Sequence, residues 1–397
     1  MGYQGAEKMT GKMTVLIVDD NAMNVLVIEE MLKREGYKRL RTAHSAAEMF
    51  RLLAGEEDGS LPGMPQVDLI LLDLMMPEMD GIEACRRLQA DARYKDIPVI
   101  MVTAVGDSVK LAEALDAGAS DFVTKPINKI ELFARIRSAL KLKRELDWHK
   151  ERDYRLRQEL QLARQVQESV LPDEVEDSRI RIRAYYQASE ELAGDLYAWH
   201  RIDDSRWGVA VIDAMGHGIS SSLVSMFIAS ILKESMRTLW SPERVFKELN
   251  RRLMGLQWEN ELVHYYCTGI YATIDLEVGK LNYINAGHPP GFVYRSGGGH
   301  PDKLPVSCPP LGLFDKLDLT PRTLALSPGD AVYLFTDGIL GSFEGEDEDR
   351  LGQLAAFLRR FEGEAELERL VRRESLDERS DDRCLVKIEL SPRRVHS

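Results

Sequence analysis

The sequence predicts two globular units of different class joined by a helix: a doubly wound α/β unit, a helical linker and an α+β unit. Three features of the 397 residues carry this reading. From about residue 14 to 138, short apolar runs alternate with amphipathic stretches. Residues 139–171 hold neither glycine nor proline. Beyond about residue 173, strand-like runs follow one another without regular helical crossovers.

In the first unit TVLIV (14–18), DLILL (68–72), PVIMV (98–102) and DFV (121–123) read as strands. NAMNVLVIEEMLKREGY (21–37), MDGIEACRRLQAD (79–91) and SVKLAEALDAG (108–118) read as helices. Strands alternating with helices imply a parallel sheet covered on both faces. The linker is rich in charged residues and good helix formers. A seam drawn through positions 142, 146, 149, 153, 156, 160, 163, 167 and 170 carries Leu, Leu, His, Asp, Leu, Leu, Ala, Gln and Val. Its three-and-four spacing predicts a coiled-coil dimer, interrupted at His149, Asp153 and Gln167. A solvated connector helix is the alternative.

In the third region WGVAVID (207–213), YCTGIYATID (266–275), LNYINA (281–286), AVYLFTD (331–337) and CLVKIEL (384–390) read as strands, and 219–237 and 241–254 as helices. This texture predicts largely antiparallel sheets in layers. The expected boundaries are 1–138, 139–172 and 173–397.

Composition narrows the function. A net charge of −13 disfavours binding to nucleic acid, whose phosphates attract basic patches. The four cysteines, Cys85, Cys267, Cys308 and Cys384, form no metal-binding pair and suit a reducing compartment. The N-terminus lacks a signal-peptide pattern, and no apolar run is long enough to span a bilayer. A cytoplasmic protein is expected.

Two constellations carry chemistry. The first lies at successive strand ends of the α/β unit, where ligands bind in open sheets. Asp19 and Asp20 follow the first strand, Asp73 the third, Thr103 the fourth and Lys125 the last. A carboxylate can attack a phosphodonor and become an acyl phosphate. Acidic neighbours can hold a divalent cation, and a lysine can meet the phosphoryl oxygens. Taken singly, each residue also reads as a cap or a turn. The motifs VLIVDD, LLDLMMPEMDG, VTA and FVTKPI together resemble a two-component receiver domain over residues 14–138, which implies a flavodoxin-like fold. The resemblance implies that Asp73 is the phosphoacceptor, that Asp19, Asp20 and Asp73 bind magnesium, and that Lys125 contacts the phosphoryl group. It makes Thr103 and Phe122 the switch residues.

The second constellation begins with GDLYAWHRIDDSRWGVAVIDAMGHG (194–218), which reads as a hairpin turning near 203–206. Facing positions about that centre place Asp195 opposite Asp213. Two carboxylates that close repel unless a cation lies between them. Gly216-His217-Gly218 leads into a helix whose expected buried face is Ile219, Leu223, Met226, Phe227 and Ile231. Asp337, ending an apolar strand, and Asp381-Asp382, preceding another, fit the same site. A two-metal centre with ions roughly 3.5–4 Å apart would suit phosphate-monoester hydrolysis. The alternative is that these acids cap turns.

ELQLARQVQESVLP, AGDLY, VIDAMGHGISSSL, NAGHPPG, PLGLF, SPGDAVYLFTDGI and DDRCLVKI resemble the PPM-type phosphatases of the bacterial sporulation and general-stress branch, over about residues 159–391. This resemblance implies a layered β-sandwich flanked by helices. It assigns Asp195, Asp213, Asp337, Asp381 and the carbonyl of Ala214 to two manganese or magnesium ions, with Asp382 as a second candidate beside Asp381. Asn285, Gly287 and His288 belong to the NAGHPP loop, where His288 reads as structural or catalytic. Ala193 stands where glycine is usual and Cys384 where threonine is common. The implied partners are a histidine kinase or phosphotransfer protein, a phosphorylated anti-sigma-factor antagonist as substrate, and a second copy through the linker. The competing reading is a protein-binding adaptor with vestigial chemistry.

Overall fold

The computed structural model describes residues 13–55, 67–104, 108–216, 218–256, 265–361, 363, 365–366 and 381–391. The chain divides into two compact units, Met1–Leu156 and Arg157–Ser397.

The N-terminal unit is built from β1 (Thr14–Val18), α1 (Ala22–Arg34), β2 (Arg39–Ala43), α2 (Ala46–Ala54), β3 (Leu69–Asp73), α3 (Gly81–Ala90), β4 (Val99–Ala104), α4 (Ser108–Asp116) and β5 (Asp121–Lys125). Its strands form one parallel sheet in the order β2-β1-β3-β4-β5. β1 and β3 are buried throughout, as continuous apolar runs must be when helices cover both faces. One core packs α2 and α3 beneath the sheet, and the other packs α1 and the start of the next helix above it.

That next helix, α5 (Lys129–Val170), is a single 42-residue element. It starts ten residues before the expected linker because its first turns are core. Leu132, Phe133, Ile136, Ala139 and Leu140 are buried against β1, β3, β4 and β5. From 144 to 166 almost every side chain is exposed, including Leu146 and Leu156 of the expected seam. Gln167, counted as an interruption of that seam, is instead buried within the C-terminal unit.

The C-terminal unit contains β6 (Val175–Glu176), β7 (Ile180–Gln187), β8 (Asp195–Arg201), β9 (Arg206–Ala214), α6 (Gly218–Thr238), α7 (Pro242–Met254), β10 (Cys267–Asp275), β11 (Lys280–Ala286), β12 (Gly291–Tyr294), β13 (Asp302–Leu304), β14 (Arg322–Ala325), β15 (Ala331–Phe335), α8 (Asp337–Leu340), α9 (Asp347–Leu358) and β16 (Arg383–Leu390). Two antiparallel sheets, β14-β11-β10-β9-β8 and β13-β12-β15-β16-β7-β6, pack face to face. Alternation along β9 sends Val209 and Val211 into the space between the sheets and Ala210 and Ile212 toward α6 and α7. On the far side, α9 covers β12, β15 and β16 through Leu351, Leu354 and Leu358. The expected layered sandwich with flanking helices is the observed one.

The buried face of α6 differs from the expected one. Ile219 and Leu223 are 52% and 66% exposed, and Met226 and Phe227 are only partly covered. The inward face carries Ser221, Ser222, Val224, Ser225, Ile228, Ile231 and Leu232. At its start α6 lies close over β8: a Cβ at Gly194 would meet Ser221 at 3.2 Å. Small side chains therefore face the sheet there and the larger ones are turned outward. His217 lies outside the described residues.

Candidate functional site

The first cluster gathers where the parallel strands end. Asp19 and Asp73 are buried and Asp20 is exposed. Among the described residues they are the group of acids whose ligand oxygens all lie within 4.8 Å of one another. Lys125 Nζ donates to Asp73 Oδ1 at 2.8 Å and to Asp19 Oδ2 at 2.9 Å. Asn24 Nδ2 and the Asn21 amide further fix Asp19. Burial pushes the Asp73 carboxyl above its ordinary range; the Lys125 hydrogen bond opposes this, and Asp19 and Asp20 add to it. An oxygen-rich, charge-crowded site of this kind fits a hard divalent cation. Gly81 is required for its approach, since a Cβ there would lie 2.4 Å from the Asp73 carbonyl oxygen.

Thr103 is buried, and its hydroxyl donates to the Ala104 carbonyl. Phe122 is half-buried against the core beneath α2 and α3, with the Arg135 guanidinium 5.4 Å from its ring centre. Arg135 also pairs with Asp121 and Glu131. The strand carrying Phe122 is thereby fastened to α5.

The second cluster is built on the β8–β9 hairpin. Asp195 pairs directly with Asp213, the register expected from the sequence. Asp195 is almost fully buried, and its Oδ2 accepts from Thr336 Oγ1 at 2.6 Å. Thr336 in turn accepts from the Cys384 amide at 3.0 Å. Burial and the facing Asp213 raise the Asp195 carboxyl well above its usual range. Burial, then Asp337, Asp381 and Asp382, push Asp213 up to about 7. Burial and Asp381 raise Asp337, which opens the short helix α8 rather than ending the strand. These acids crowd one another, and such crowding fits a cation-binding donor set better than turn-capping.

The two adjacent C-terminal acids differ in what they already hold. Asp382 is buried; its Oδ1 accepts from the Ser189 amide and hydroxyl, and its Oδ2 from the Gly194 amide at 2.6 Å. Asp381 is exposed and accepts the following residue's amide, which leaves it the freer carboxylate. A Cβ at Gly338 would lie 2.0 Å from the Asp382 carbonyl, so only glycine lets Asp337 approach this pair. Ala214 is buried, and a Cβ at Gly194 would lie 3.0 Å from its carbonyl oxygen.

The NAGHPP loop holds itself together. Asn285 is fully buried, donates to the Pro289 and Leu304 carbonyls and accepts from the His288 amide. Gly287 has φ +65, and a Cβ there would meet Pro310 at 2.7 Å. His288 is buried with Nδ1 2.8 Å from Thr268 Oγ1, and burial pushes its imidazole down to about 3. A ring held neutral there supports the strand, for Thr268 pairs with Asp213. Gln167 is a residue whose role here sequence reading missed: its Nε2 donates to the Ala193 carbonyl at 2.7 Å and its Oε1 accepts from the Ala193 amide at 3.1 Å.

Residues 15–137 match the response regulator receiver domain family, and residues 203–391 match the stage II sporulation protein E (SpoIIE) family. The chain joins a receiver domain to a SpoIIE-type phosphatase domain. The phosphatase domain is similar to the phosphoserine phosphatase RsbP of Bacillus subtilis, 37% identical over 184 residues, which are 46% of this chain and 45% of that protein. The receiver is similar to that of the response regulator PleD of Caulobacter vibrioides, 39% identical over 139 residues, 35% of this chain and 28% of that one. The chain therefore spans less than half the length of either relative. Among solved structures, the SiaA-PP2C domain of Pseudomonas aeruginosa aligns with 60% of this chain and 98% of that one, at 18% identity and TM-score 0.49. No helix among the described residues is long and apolar enough to cross a membrane.

Two predictions follow from the acids. Asp381→Asn should weaken manganese binding in calorimetry while leaving the melting temperature nearly unchanged. Asp382→Asn should instead cost about 1.5–3 kcal/mol of stability, the range for hydrogen bonds to a charged group. Equal effects of the two on metal binding would refute this division.

The second concerns pH. The folded, metal-free domain holds the Asp213 proton up to about 7, whereas the unfolded chain releases it near 3.8. Between those values the folded state binds more protons, so the contribution of Asp213 to stability falls as pH rises. The melting temperature of metal-free wild type, relative to Asp213→Asn, should decline from pH 4 to 7. Added manganese should reverse the decline; a relative melting temperature that climbs over this range contradicts it.

Proposed function

We propose that this chain is a response regulator in which phosphorylation of Asp73 controls hydrolysis of a phosphoserine or phosphothreonine ester on a partner protein. The observation that carries the reading is the mutually repelling pair of buried Asp195 and half-buried Asp213, which face each other in the phosphatase domain with Asp337 and Asp381 beside them. Asp195, Asp213, Asp337, Asp381 and the Ala214 carbonyl are the groups we assign to two manganese or magnesium ions. Ions bound there would neutralise phosphoryl charge and make bound water acidic enough to yield hydroxide at neutral pH. The chain itself orients the site: Thr336 fixes one oxygen of Asp195, Asp382 anchors the Gly194 amide, and His288 supports Thr268 beside Asp213.

In the receiver, Asp19, Asp20 and Asp73 are assigned to one magnesium ion, with Asp73 as the nucleophile toward a phosphohistidine donor. A histidine kinase or phosphotransfer protein is the partner that this chemistry requires. Lys125, 2.8 Å from Asp73, stands where it would meet the new phosphoryl oxygens, and Thr103 and Phe122 relay their presence. The likeness to RsbP supports a phosphoserine substrate. A phosphorylated anti-sigma-factor antagonist, in the cytoplasm, is the substrate we assign.

We also assign a homodimer through α5. Leu142, Leu146 and Leu156 stand exposed along it, and burying them against a second copy would remove their apolar surface from water. A monomer in sedimentation velocity at micromolar concentration would count against this.

Activity is tested with p-nitrophenyl phosphate or a phosphoserine protein in the presence of manganese. Asp213→Asn should lose at least about a hundredfold, since a lost ligand forfeits several kcal/mol of charge stabilisation. Beryllofluoride should shift the wild-type rate and leave Asp73→Asn unmoved. Metal binding without turnover of either substrate would favour the adaptor reading.

A further inference from the structure

Gln167 is 5% exposed near the end of the long helix α5. Its carboxamide spends both polar atoms on one residue: Nε2 donates to the Ala193 carbonyl and Oε1 accepts from the Ala193 amide. Ala193 is itself fully buried. Without Gln167, a buried main-chain N–H and C=O would each lose a partner in a place that water does not reach. The clamp is therefore expensive to break.

Its position gives the clamp a role. Ala193 lies two residues before Asp195. Between them, the Gly194 amide donates to Asp382, and the Gly194 carbonyl accepts from the Ala214 amide at 3.4 Å. Three separate elements thus grip the main chain of residues 193 and 194: α5 through Gln167, the start of β16 through Asp382, and β9 through Ala214. The other two grips belong to the phosphatase domain's own sheets. Gln167 alone sits on the helix whose opening turns are core of the receiver, where Arg135 fastens it beside Phe122. Neighbouring Leu171 packs against the apolar cluster of α6 and α7 and contributes no such bond.

We propose that Gln167 is a positioning residue. It makes the end of the linker helix part of the metal site, so that the seating of the helix sets how readily Asp195 and its partners take up metal. This rests on the reading of Asp195 as a metal ligand and names the route by which the helix bears on it. The route is short: helix, Gln167 carboxamide, Ala193 main chain, Asp195 carboxylate. A displacement of the helix end by a fraction of an ångström stretches two hydrogen bonds and moves the strand end that carries one ligand.

The test uses the full chain with manganese as the probe. Gln167→Met keeps the side-chain length and removes both bonds. Its calorimetric manganese dissociation constant, and the manganese concentration giving half-maximal hydrolysis of p-nitrophenyl phosphate, should both rise about tenfold. kcat at saturating manganese should recover to within about twofold of wild type. Leu171→Ala, which trims packing at the same helix end, should lower the melting temperature without moving the metal requirement. Gln167→Glu keeps an acceptor for the Ala193 amide, so a smaller weakening is expected, and it serves if Gln167→Met does not fold.

Unchanged manganese affinity in a folded Gln167 variant would overturn the proposal while leaving the phosphatase reading intact. An equal rise in Leu171→Ala would also overturn it, by reducing Gln167 to ordinary packing. Wild type that binds no manganese would instead overturn the underlying reading, and this proposal with it.

Discussion

The phosphatase domain is organised around a repulsion. Asp195 and Asp213 face each other across a hairpin in surroundings dry enough to raise both carboxyls, and Asp337 and Asp381 add to the same field. Left alone, such a set disfavours its own ionised form. Much of the nearby architecture opposes its dispersal: the Thr336 hydroxyl on Asp195, the three donors on Asp382, and the bare glycines 194 and 338 that let main chains meet. The receiver uses the opposite device. There the like charges of Asp19 and Asp73 are bridged by the Lys125 ammonium. One site has its counter-charge built in; the other gathers acids whose charge the proposed cations would neutralise.

What was legible in the sequence follows from what each pattern constrains. A hairpin has one strong periodicity, so the Asp195–Asp213 register could be counted. The central receiver strands are unbroken apolar runs and were equally plain. β2 was not, because RLRTA is a mostly half-exposed edge strand with charged side chains and no buried run. The helix after it did announce itself: Ser45 and Glu48 form a reciprocal cap, with the Glu48 amide on Ser45 and the His44 amide on Glu48.

Other features lay beyond one-dimensional reading. The hydrophobicity of Ile219 and Leu223 suggested burial, but close approach of α6 to the sheet favours serine on the inner face and leaves bulk outside. Gln167 looked like a flaw in a coiled-coil seam, because a helix's sequence does not state what the helix touches. Asp381 and Asp382 are chemically identical neighbours, and only their burial and the hydrogen bonds already made distinguish them. The alanine at 193, where glycine is usual, has ordinary negative φ and contributes its main chain, so the departure costs nothing.

The contact between Gly338 and the Asp382 carbonyl has a further consequence. After Gly338 the described chain, α9 included, leaves the acidic centre, and Asp382 lies within one atom's breadth of that departure. The closing point is held by the β15–β16 ladder. Because closure entropy grows only with the logarithm of length, residues inserted at the exposed positions of this stretch cost little while Leu351, Leu354 and Leu358 keep their places against the sheet. Changes at those exposed positions are thereby uncoupled from the placing of the acids.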